Sequence, residues 1–376
     1  MGRPCPARIA DVPVRALARV RTGAIEANCA LLRSKLSGDT ALCAVVKADG
    51  YGHGILTAAR AALQGGASWL AVASAQEAAT LRAGGVVAPT LVMGALSSEE
   101  ADIALEADAD VVVWERGFLD SIADRGPRVH VKLDTGMGRL GVKDVAEARR
   151  LVQAVDLHER ASLAGVMTHF ATADELGDEH FPRQLERFGA FAQEVRGDQP
   201  GVIAHAANSA ATLRDPSSHF DMVRCGVAVY GLDPFQQDAA AQGLQPALSL
   251  ETYVAAVKPF VPGESAGYGR SWIAGRPTLV ATLPIGYGDG WRRALSNDCD
   301  VLIGGRRHPL VGTVSMDNVT VELGPDSEVR VGDQAVLIGE QGGRRIACEE
   351  VARRLGTINY EVTCGLTARV PRQVLP

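Results

Sequence analysis

The stretch Ala41–Gly54, ALCAVVKADGYGHG, is the part of the sequence that best indicates the fold. It begins with a short apolar run that is rich in valine and followed by glycines, a pattern typical of a buried parallel strand. The run ends at Lys47, which leads into a glycine-rich turn carrying Tyr51 and His53. A lone lysine at such a place usually extends to water. Whether this one has a chemical role depends on the residues at equivalent positions along the chain.

Seven further apolar runs follow the first, which makes eight predicted strands. They are Trp69–Ala73, Thr90–Met93, Asp110–Val113, Val129–Leu133, Leu163–Thr168, Val202–Ala206 and Asp221–Tyr230. Stretches with helical spacing precede or separate them, among them Thr22–Leu36, Ser97–Ala107, Asp144–Val155 and Phe181–Val195. Alternation of this kind indicates a parallel sheet, and eight repeats favour a closed (β/α)8 barrel of the TIM type. The alternative is an open flavodoxin- or Rossmann-like sheet in which one or two runs are misread.

The pattern changes after Leu232. Residues 233–243 have the composition of a linker, and the rest of the chain is rich in β-type runs with turn residues between them. These runs are Ser249–Val257, Thr278–Leu283, Val301–Ile303, Val311–Val314, Val319–Leu323 and Gln334–Ile338, with one helix at Cys348–Leu355. We therefore predict an α/β barrel over residues 12–240 and a mostly antiparallel β domain over residues 241–376. Residues 1–11 are not assigned to the barrel, and packing with the second domain is an open alternative for them.

Composition and charge narrow the functional class. The 376 residues are 47% hydrophobic and 22% charged, which is ordinary for a globular protein, and the net charge of −6 argues against nucleic acid or an anionic membrane as the main partner. The seven cysteines are scattered without a C-x-x-C pair, which favours reduced thiols in a cytoplasm and argues against a zinc site. No run reaches the roughly 20 apolar residues of a membrane span. The arginine-rich start lacks the apolar core of a secretory signal, although a transit peptide remains an alternative.

Reactive residues cluster at the predicted strand ends, where barrels of this type build their active sites. Five of the eight ends carry residues that are costly to bury without partners: Lys47, Lys132 with Asp134, Thr168 with His169, His205 with Asn208 and Ser209, and Arg224. A lysine near other cations suits a Schiff-base nucleophile, because burial and positive charge lower the pKa of its amine toward the neutral form.

A phosphate site is expected beside that lysine. Ser209 opens a predicted helix and Gly226-Val227 follows the eighth strand, and free backbone N–H groups at such places bind phosphate. A lysine, a phosphate site and an arginine together point to pyridoxal 5'-phosphate. One motif competes: Gly136–Gly141, GMGRLG, fits the G-x-G-x-x-G dinucleotide fingerprint, with Asp156 about twenty residues on. It follows the fifth strand of the series, however, and Asp134 and Arg139 crowd the turn.

Nine motifs in order carry a family resemblance. VVKADGYGHG, KLDTGMGRLG, THFA, HAANSAAT, RCGVAVYG, GYGR, PIGYGDG, GTVSMDN and INYEVTCGLTARVPR, between Val45 and Arg372, closely resemble the motif series of alanine racemases. The resemblance implies a pyridoxal-phosphate enzyme with an N-terminal barrel and a C-terminal β domain. It also implies a head-to-tail homodimer whose active sites take residues from both chains. The departures are mild, since KADGYGHG stands where KANAYGHG is common, and AGYGR where SYGR is more usual.

The resemblance also implies the catalytic residues. Lys47 would form the internal aldimine and act as one base, and Tyr268 of the partner subunit would act as the other. Two groups are needed, because racemisation removes a proton from one face of Cα and returns it on the opposite face. Tyrosine is a poor base at its usual pKa near 10, and His169 and Arg224 match the pair that assists it. Arg224 also matches the residue that faces the pyridine nitrogen and keeps it unprotonated.

The remaining site residues follow from the same resemblance. Cofactor binding, the phosphate above all, maps to Tyr51, Asn208, Ser209, Gly226, Val227 and Tyr360, with His169 and Arg224 close to the ring. The substrate carboxylate maps to Arg139 and to Met316 of the partner subunit, with Asp317 beside it. Lys132 matches a lysine that many members carry as a carbamate, and a plain lysine paired with Asp134 is the alternative. No metal ligand is implied.

The predicted function is therefore interconversion of L-alanine and D-alanine, which supplies D-alanine for peptidoglycan. One alternative is a racemase of broader or different amino-acid specificity, and such enzymes often carry a secretory signal. Another is a non-catalytic pyridoxal-phosphate homeostasis protein, a class that shares the barrel and typically lacks the β domain. Basic amino-acid decarboxylases also pair a barrel with a β domain but lack this motif series.

Overall fold

The computed structural model describes residues 14–376, which form two compact units. The barrel unit comprises residues 21–247, with Pro376 grouped with it, and the β unit comprises, of the described residues, 14–20 together with 248–375. The expectation for residues 1–11 lies outside the described part of the chain. The first described element, strand β1 (Ala16–Arg21), belongs largely to the β unit, whereas the sequence assigned residues 12–20 to the barrel.

The barrel unit is a closed ring of eight parallel strands, which confirms the predicted fold class. Its strands are β2 (Ala41–Val45), β3 (Trp69–Val72), β4 (Thr90–Val92), β5 (Asp110–Val113), β6 (Arg128–Lys132), β7 (Ser162–Met167), β8 (Ile203–His205) and β9 (Met222–Cys225). Each strand pairs with the next, and β9 pairs with β2 to close the ring. The strands read as continuous apolar runs because both of their faces are covered, as in β5, where every residue is buried.

Helices connect the barrel strands. They are α1 (Thr22–Ser34), α2 (Lys47–Tyr51), α3 (Ile55–Gln64), α4 (Ala75–Ala83), α5 (Ser98–Glu106), α6 (Arg116–Ile122), α7 (Val145–Asp156), α8 (His180–Asp198) and α9 (Ser209–Arg214). The capping box predicted at the start of α5 is present, since Ser97 and Glu100 exchange both of its hydrogen bonds.

Two sequence predictions for the end of the barrel are wrong. The eighth strand stops at Cys225 rather than Tyr230, because the backbone turns at Gly226 and Val227–Tyr230 form a 3-10 turn. Residues 233–243 are not a simple linker: they belong to the barrel unit, and Asp233 and Ala239 are fully buried.

The β unit is built on a ten-stranded sheet. Its strands are β10 (Leu248–Tyr253), β11 (Ala256–Phe260), β14 (Thr278–Leu283), β15 (Asp300–Ile303), β16 (Arg306–Val311), β17 (Val319–Gly324), β18 (Gln334–Gln341), β19 (Arg344–Ile346) and β20 (Arg372–Leu375), together with β1. A small hairpin, β12 (Ser265–Ala266) and β13 (Trp272–Ile273), and the helices α10 (Cys348–Leu355) and α11 (Asn359–Cys364) complete the unit. The predicted helix at Cys348–Leu355 is confirmed.

Pairing in this sheet explains where the predicted β elements differ from the observed ones. Strand β1 lies between β10 and β20, and Ala16 pairs with Thr252 in antiparallel register. The single strand predicted over Ser249–Val257 is two strands, β10 and β11, which pair with different neighbours. The strand predicted at Val311–Val314 lies earlier, as β16. Among the helices of residues 14–376, none combines the length and the apolar character needed to cross a bilayer.

Candidate active site

Four of the predicted cationic side chains meet at the C-terminal ends of the barrel strands. Burial above all, and then the neighbouring Arg224, Arg139 and Lys47, lower the pKa of Lys132 to about 8 against the opposing effect of Asp134. The pKa of His169 also lies well below its ordinary value, first because of burial and then because of the same cations. The barrel mouth is therefore strongly positive, and it favours neutral forms of its lysine and histidine side chains.

The turn that carries Lys47 has an uncommon backbone. Ala48, Asp49, Gly50 and Tyr51 all have left-handed φ angles between 52° and 62°. Such angles are unfavourable for residues with a Cβ, so the turn needs bonds from its surroundings. Glu77 in α4 supplies one of them, because one of its carboxylate oxygens accepts from the Ala48 amide at 2.7 Å. Its other oxygen accepts from the Ala73 amide at 2.8 Å and so links the turn to the end of β3.

Arg224 is 3% exposed and is held at several points. Its Nη2 donates to the backbone oxygens of Thr168 at 2.7 Å and Ala206 at 3.0 Å. The same nitrogen lies 3.3 Å from His169 Nδ1, and Nη1 lies 2.9 Å from His205 Nδ1. In the register of β2 with β9, Arg224 is paired with Cys43, so it lies one strand away from the segment that ends at Lys47. The guanidinium is thus a fixed positive charge below the barrel mouth.

The residues predicted to bind phosphate converge at the ends of β8 and β9. Asn208 caps α9 by accepting from the Ala211 amide at 3.0 Å, and this places Ser209 in the first turn. The amides of Gly226 and Ala228 point at Ser209 Oγ, at 3.0 and 3.3 Å. A Cβ at Gly226 would lie 2.3 Å from the Tyr51 hydroxyl, so that hydroxyl lies directly against the glycine. Val227 follows, fully buried, in the same 3-10 turn.

The G-x-G-x-x-G segment has a different role from the one its pattern suggests. The Asp134 carboxylate accepts from the amides of Gly136 at 3.0 Å, Met137 at 2.8 Å and Gly138 at 3.0 Å. These amides would have to bind the pyrophosphate of a dinucleotide. The dinucleotide interpretation is therefore disfavoured, and the loop instead projects the exposed Arg139. Since the Asp134 oxygens are bound to the loop, the simple pair with Lys132 is disfavoured as well.

The other predicted site residues belong to the β unit. Tyr268 is 73% exposed in a short turn after β12, and its backbone oxygen accepts from Thr313 Oγ1 at 2.9 Å. Met316 is 51% exposed, and its backbone oxygen accepts from the Gly288 amide at 2.9 Å. Asp317 pairs with Arg369 at 2.7 Å, which lowers the pKa of its carboxyl. Tyr360 lies in α11.

Several residues that shape the site were not predicted. Gln184 in α8 is fully buried and donates to Thr135 Oγ1 and to the His169 backbone oxygen, both at 3.2 Å. Glu77 was missed although Ser74-x-x-Glu77 is a visible capping box. His130 and Asp110 lie within strands, where nothing in the local pattern marks them as polar partners of a distant residue.

Comparisons with known proteins give consistent matches. The profile of the family described as "Alanine racemase, N-terminal domain" matches residues 20–234, and "Alanine racemase, C-terminal domain" matches residues 247–374. The alanine racemase of Symbiobacterium thermophilum is 44% identical over 363 residues, 94% of this chain and 96% of the relative. That of Geobacillus stearothermophilus is 43% identical over 363 residues, 94% and 92% of the two chains. A solved structure, alanine racemase from E. faecalis, has a TM-score of 0.91 at 36% identity and covers 96% of this chain and 98% of that one.

Proposed function

This chain belongs to the alanine racemase family, and on that premise we propose that it interconverts L-alanine and D-alanine with pyridoxal 5'-phosphate as cofactor. The observation that carries the proposal is the convergence of Lys47, Arg224 and a set of phosphate donors at the C-terminal ends of the barrel strands. A β unit that matches the family's C-terminal domain disfavours the homeostasis protein, which typically consists of the barrel alone.

The donor set fits this cofactor at three points. The hydroxyls of Tyr51 and Ser209 and the amide of Gly226 are close together, as a phosphate ester requires. Asn208 caps the helix that presents Ser209, and Val227 and Tyr360 complete the proposed set. Arg224 offers a permanently charged donor to a pyridine nitrogen, and Lys47 offers an amine to an aldehyde. When bound, the cofactor supplies that aldehyde and a conjugated ring that stabilises negative charge on the carbon beside the amine.

The chain's own groups would then move the proton. Lys47 removes or returns the α-proton on one face of the substrate, and Tyr268 of the partner subunit does so on the other face. His169 and Arg224, 3.3 Å apart, would polarise the tyrosine hydroxyl, since the low pKa of His169 keeps its imidazole neutral. Arg224 remains protonated throughout, so it does not give its proton to the ring nitrogen.

Substrate recognition would rest on a second set of charges. Arg139 projects from the loop that Asp134 holds, and it would bind the alanine carboxylate together with Met316 of the partner subunit, beside Asp317. Arg139 and Arg224 both lower the pKa of Lys132, and at a pKa of about 8 part of its amine is neutral near pH 7 to 8. A neutral amine adds CO2 with release of one proton, and the resulting carbamate anion would orient both arginines. We propose this modification for Lys132.

The assembly and location are part of the same proposal. The exposed rings and side chains of Tyr268 and Met316 suit a homodimer in which each barrel is completed by the other chain. The buried free thiols of Cys29, Cys43 and Cys225 suit a reducing cytoplasm. The product D-alanine would serve peptidoglycan synthesis.

The central experiment follows the formation of D-alanine from L-alanine by chiral chromatography. We expect Lys47→Ala and Tyr268→Phe to lose racemisation, while Lys258→Ala and Tyr253→Phe, in the sheet of the β unit, keep the wild-type rate. In D2O, Tyr268→Phe should still exchange the α-proton of one enantiomer, since Lys47 remains on its own face. Full activity in either of the first two variants contradicts the proposal, and preferred turnover of serine or lysine favours the broader racemase.

Shared active sites have their own test. Neither Lys47→Ala nor Tyr268→Phe homodimers should be active. Co-expression of the two chains should restore about one quarter of the wild-type activity, because half of the dimers are mixed and each mixed dimer has one intact site. No recovery would mean that Lys47 and Tyr268 of the same chain form one site.

A further inference from the structure

A chain of buried hydrogen bonds runs through the barrel from its N-terminal end to Arg224. Asp110 is the first residue of β5, and its Oδ2 lies 3.1 Å from His130 Nε2. His130 Nδ1 lies 2.8 Å from His205 Nε2, and His205 Nδ1 lies 2.9 Å from Arg224 Nη1. Asp110, His130 and His205 are each at most 1% exposed. At the far end, Arg128 Nε donates to Asp110 Oδ1 at 2.5 Å.

The proton positions in this chain are dictated by its two ends. A guanidinium only donates, so His205 must accept from Arg224 at Nδ1 and carry its own proton on Nε2. That proton faces His130, which must then accept at Nδ1 and carry its proton on Nε2. A carboxylate can only accept hydrogen bonds, so Asp110 accepts the one that His130 Nε2–H donates. Every bond thus points from Arg224 toward Asp110, and burial lowers the pKa of His205, which keeps it neutral.

The strand between the two histidines carries a glycine where a side chain would keep them apart. Gly165 in β7 is paired with His130 in the register of the barrel. A Cβ at Gly165 would lie 2.2 Å from His130 Nδ1, the atom that accepts from His205. Any side chain at this position would therefore break the chain at its centre.

We propose that Asp110, His130 and His205 are positioning residues for the reaction: the carboxylate at the bottom of the barrel sets the tautomer of both histidines and thereby holds the Arg224 guanidinium in place. None of the three is among the residues proposed to contact the substrate or the cofactor. The part of this inference that concerns catalysis rests on the proposed function, because it assigns Arg224 to the cofactor ring. The tautomer order does not depend on that function.

Substitution of Asp110 by asparagine should reverse the whole chain. Arg128 would retain the side-chain oxygen, so the new NH2 group would face His130 Nε2. His130 would then have to carry its proton on Nδ1, and His205 in turn on Nδ1. His205 Nδ1–H and Arg224 Nη1–H would then both be donors and would face each other without an acceptor. The guanidinium would therefore lose its hydrogen bond to His205 and shift. A nearly isosteric change at one end of the barrel thus acts at the other end.

The test is nitrogen NMR of the holoenzyme with 15N-labelled histidine. The 15N–15N correlation across the shared hydrogen bond identifies His130 and His205, and the shift of each ring nitrogen reports whether it is protonated. In the wild type we expect protons on Nε2 of both residues, and in Asp110→Asn on Nδ1 of both. The kcat for alanine should fall about tenfold to a hundredfold in Asp110→Asn, with KM changed much less, because the substrate carboxylate is bound elsewhere.

Asp108→Asn is the matched control. Asp108 also pairs with Arg128, at 2.8 Å, but its side chain is 74% exposed and it accepts no bond from His130. It should keep the wild-type tautomers and rate. Equal behaviour of the two variants, or unchanged tautomers in Asp110→Asn, overturns the proposal. If Asp110→Asn does not fold, the wild type alone decides, because a proton on Nδ1 of either histidine overturns the proposal. A wild type with the expected tautomers that does not racemise alanine contradicts only the proposed function.

Discussion

Removal of the Glu77 carboxylate should loosen the turn that carries Lys47. Three residues of this turn with a Cβ, Ala48, Asp49 and Tyr51, have left-handed φ angles. At about 1–2 kcal/mol each, the strain is on the order of 3–6 kcal/mol. Glu77 opposes it with bonds to the amides of Ala48 and Ala73. We take about 1–2 kcal/mol for each bond, at or below the lower end of the range of about 1.5–3 kcal/mol for charged acceptors, since Ala48 is exposed. The two bonds then contribute about 2–4 kcal/mol.

Glu100→Ala is the matched control for Glu77→Ala. Glu100 is the third residue of α5 and makes the same capping box, with Ser97, and its other bond returns to the Ser97 amide. Its loss should lower the free energy of unfolding by about 1 kcal/mol, the cap alone. Glu77→Ala should lower it by about 2–4 kcal/mol more, measured from urea unfolding at one protein concentration.

Glu77→Ala and Glu100→Ala should also differ in kcat. A displacement of Lys47 by about 1 Å is enough to lower kcat by a factor on the order of 100, so Glu77→Ala should lose about tenfold to a hundredfold of racemisation. Glu100→Ala should keep the wild-type kcat. Equal unfolding midpoints for the two variants, or an unchanged kcat in Glu77→Ala, would refute the argument that this carboxylate holds the turn.

Two further outcomes are expected at the barrel mouth. With CO2 excluded, so that Lys132 is an amine, its pKa falls from 10.5 to about 8 on folding. The unfolded chain then binds more protons between these values, and the free energy of unfolding should rise with pH over this window. In Lys132→Met the rise in the free energy of unfolding should be smaller by up to about 3 kcal/mol, since one pKa unit is worth about 1.4 kcal/mol. The same pH profile of unfolding in both proteins would contradict this prediction. Gly226→Ala places a Cβ 2.3 Å from the Tyr51 hydroxyl, so the dissociation constant of pyridoxal 5'-phosphate, followed by absorbance, should rise about tenfold or more. Gly189→Ala, which meets no atom within 4 Å, should leave that constant unchanged.

The sequence predicts the barrel well because its signal is local. Apolar runs such as Trp69–Ala73 and Asp110–Val113 are bounded by helices with clear spacing, and their C-terminal ends must meet at one face. Lys47, Lys132, His169 and Arg224 could therefore be grouped from the sequence alone.

Features that depend on distant pairing were not predictable in this way. Strand β1 forms because Ala16 pairs with Thr252, and nothing near Ala16 identifies that partner. The link between His130 and Asp110 is likewise visible only once β5 and β6 lie side by side. The left-handed turn at Ala48 and Asp49 escaped prediction because local propensity argues against it, and one of the bonds that stabilise it comes from Glu77 in α4.

The position of β1 in the sheet of the β unit bears on how the protein is made. Its partner strands, β10 and β20, are synthesised only after the whole barrel. At about 5–20 residues per second, the 226 residues between β1 and β10 take on the order of 11–45 s to translate. During this time β1 has no partner in the sheet, whereas each barrel strand, apart from the closing pair β2 and β9, pairs with the next strand in the sequence. The barrel can therefore form first, but the β sheet is complete only once β20 has been synthesised, when β1 and β20, which are far apart in the sequence, become adjacent strands.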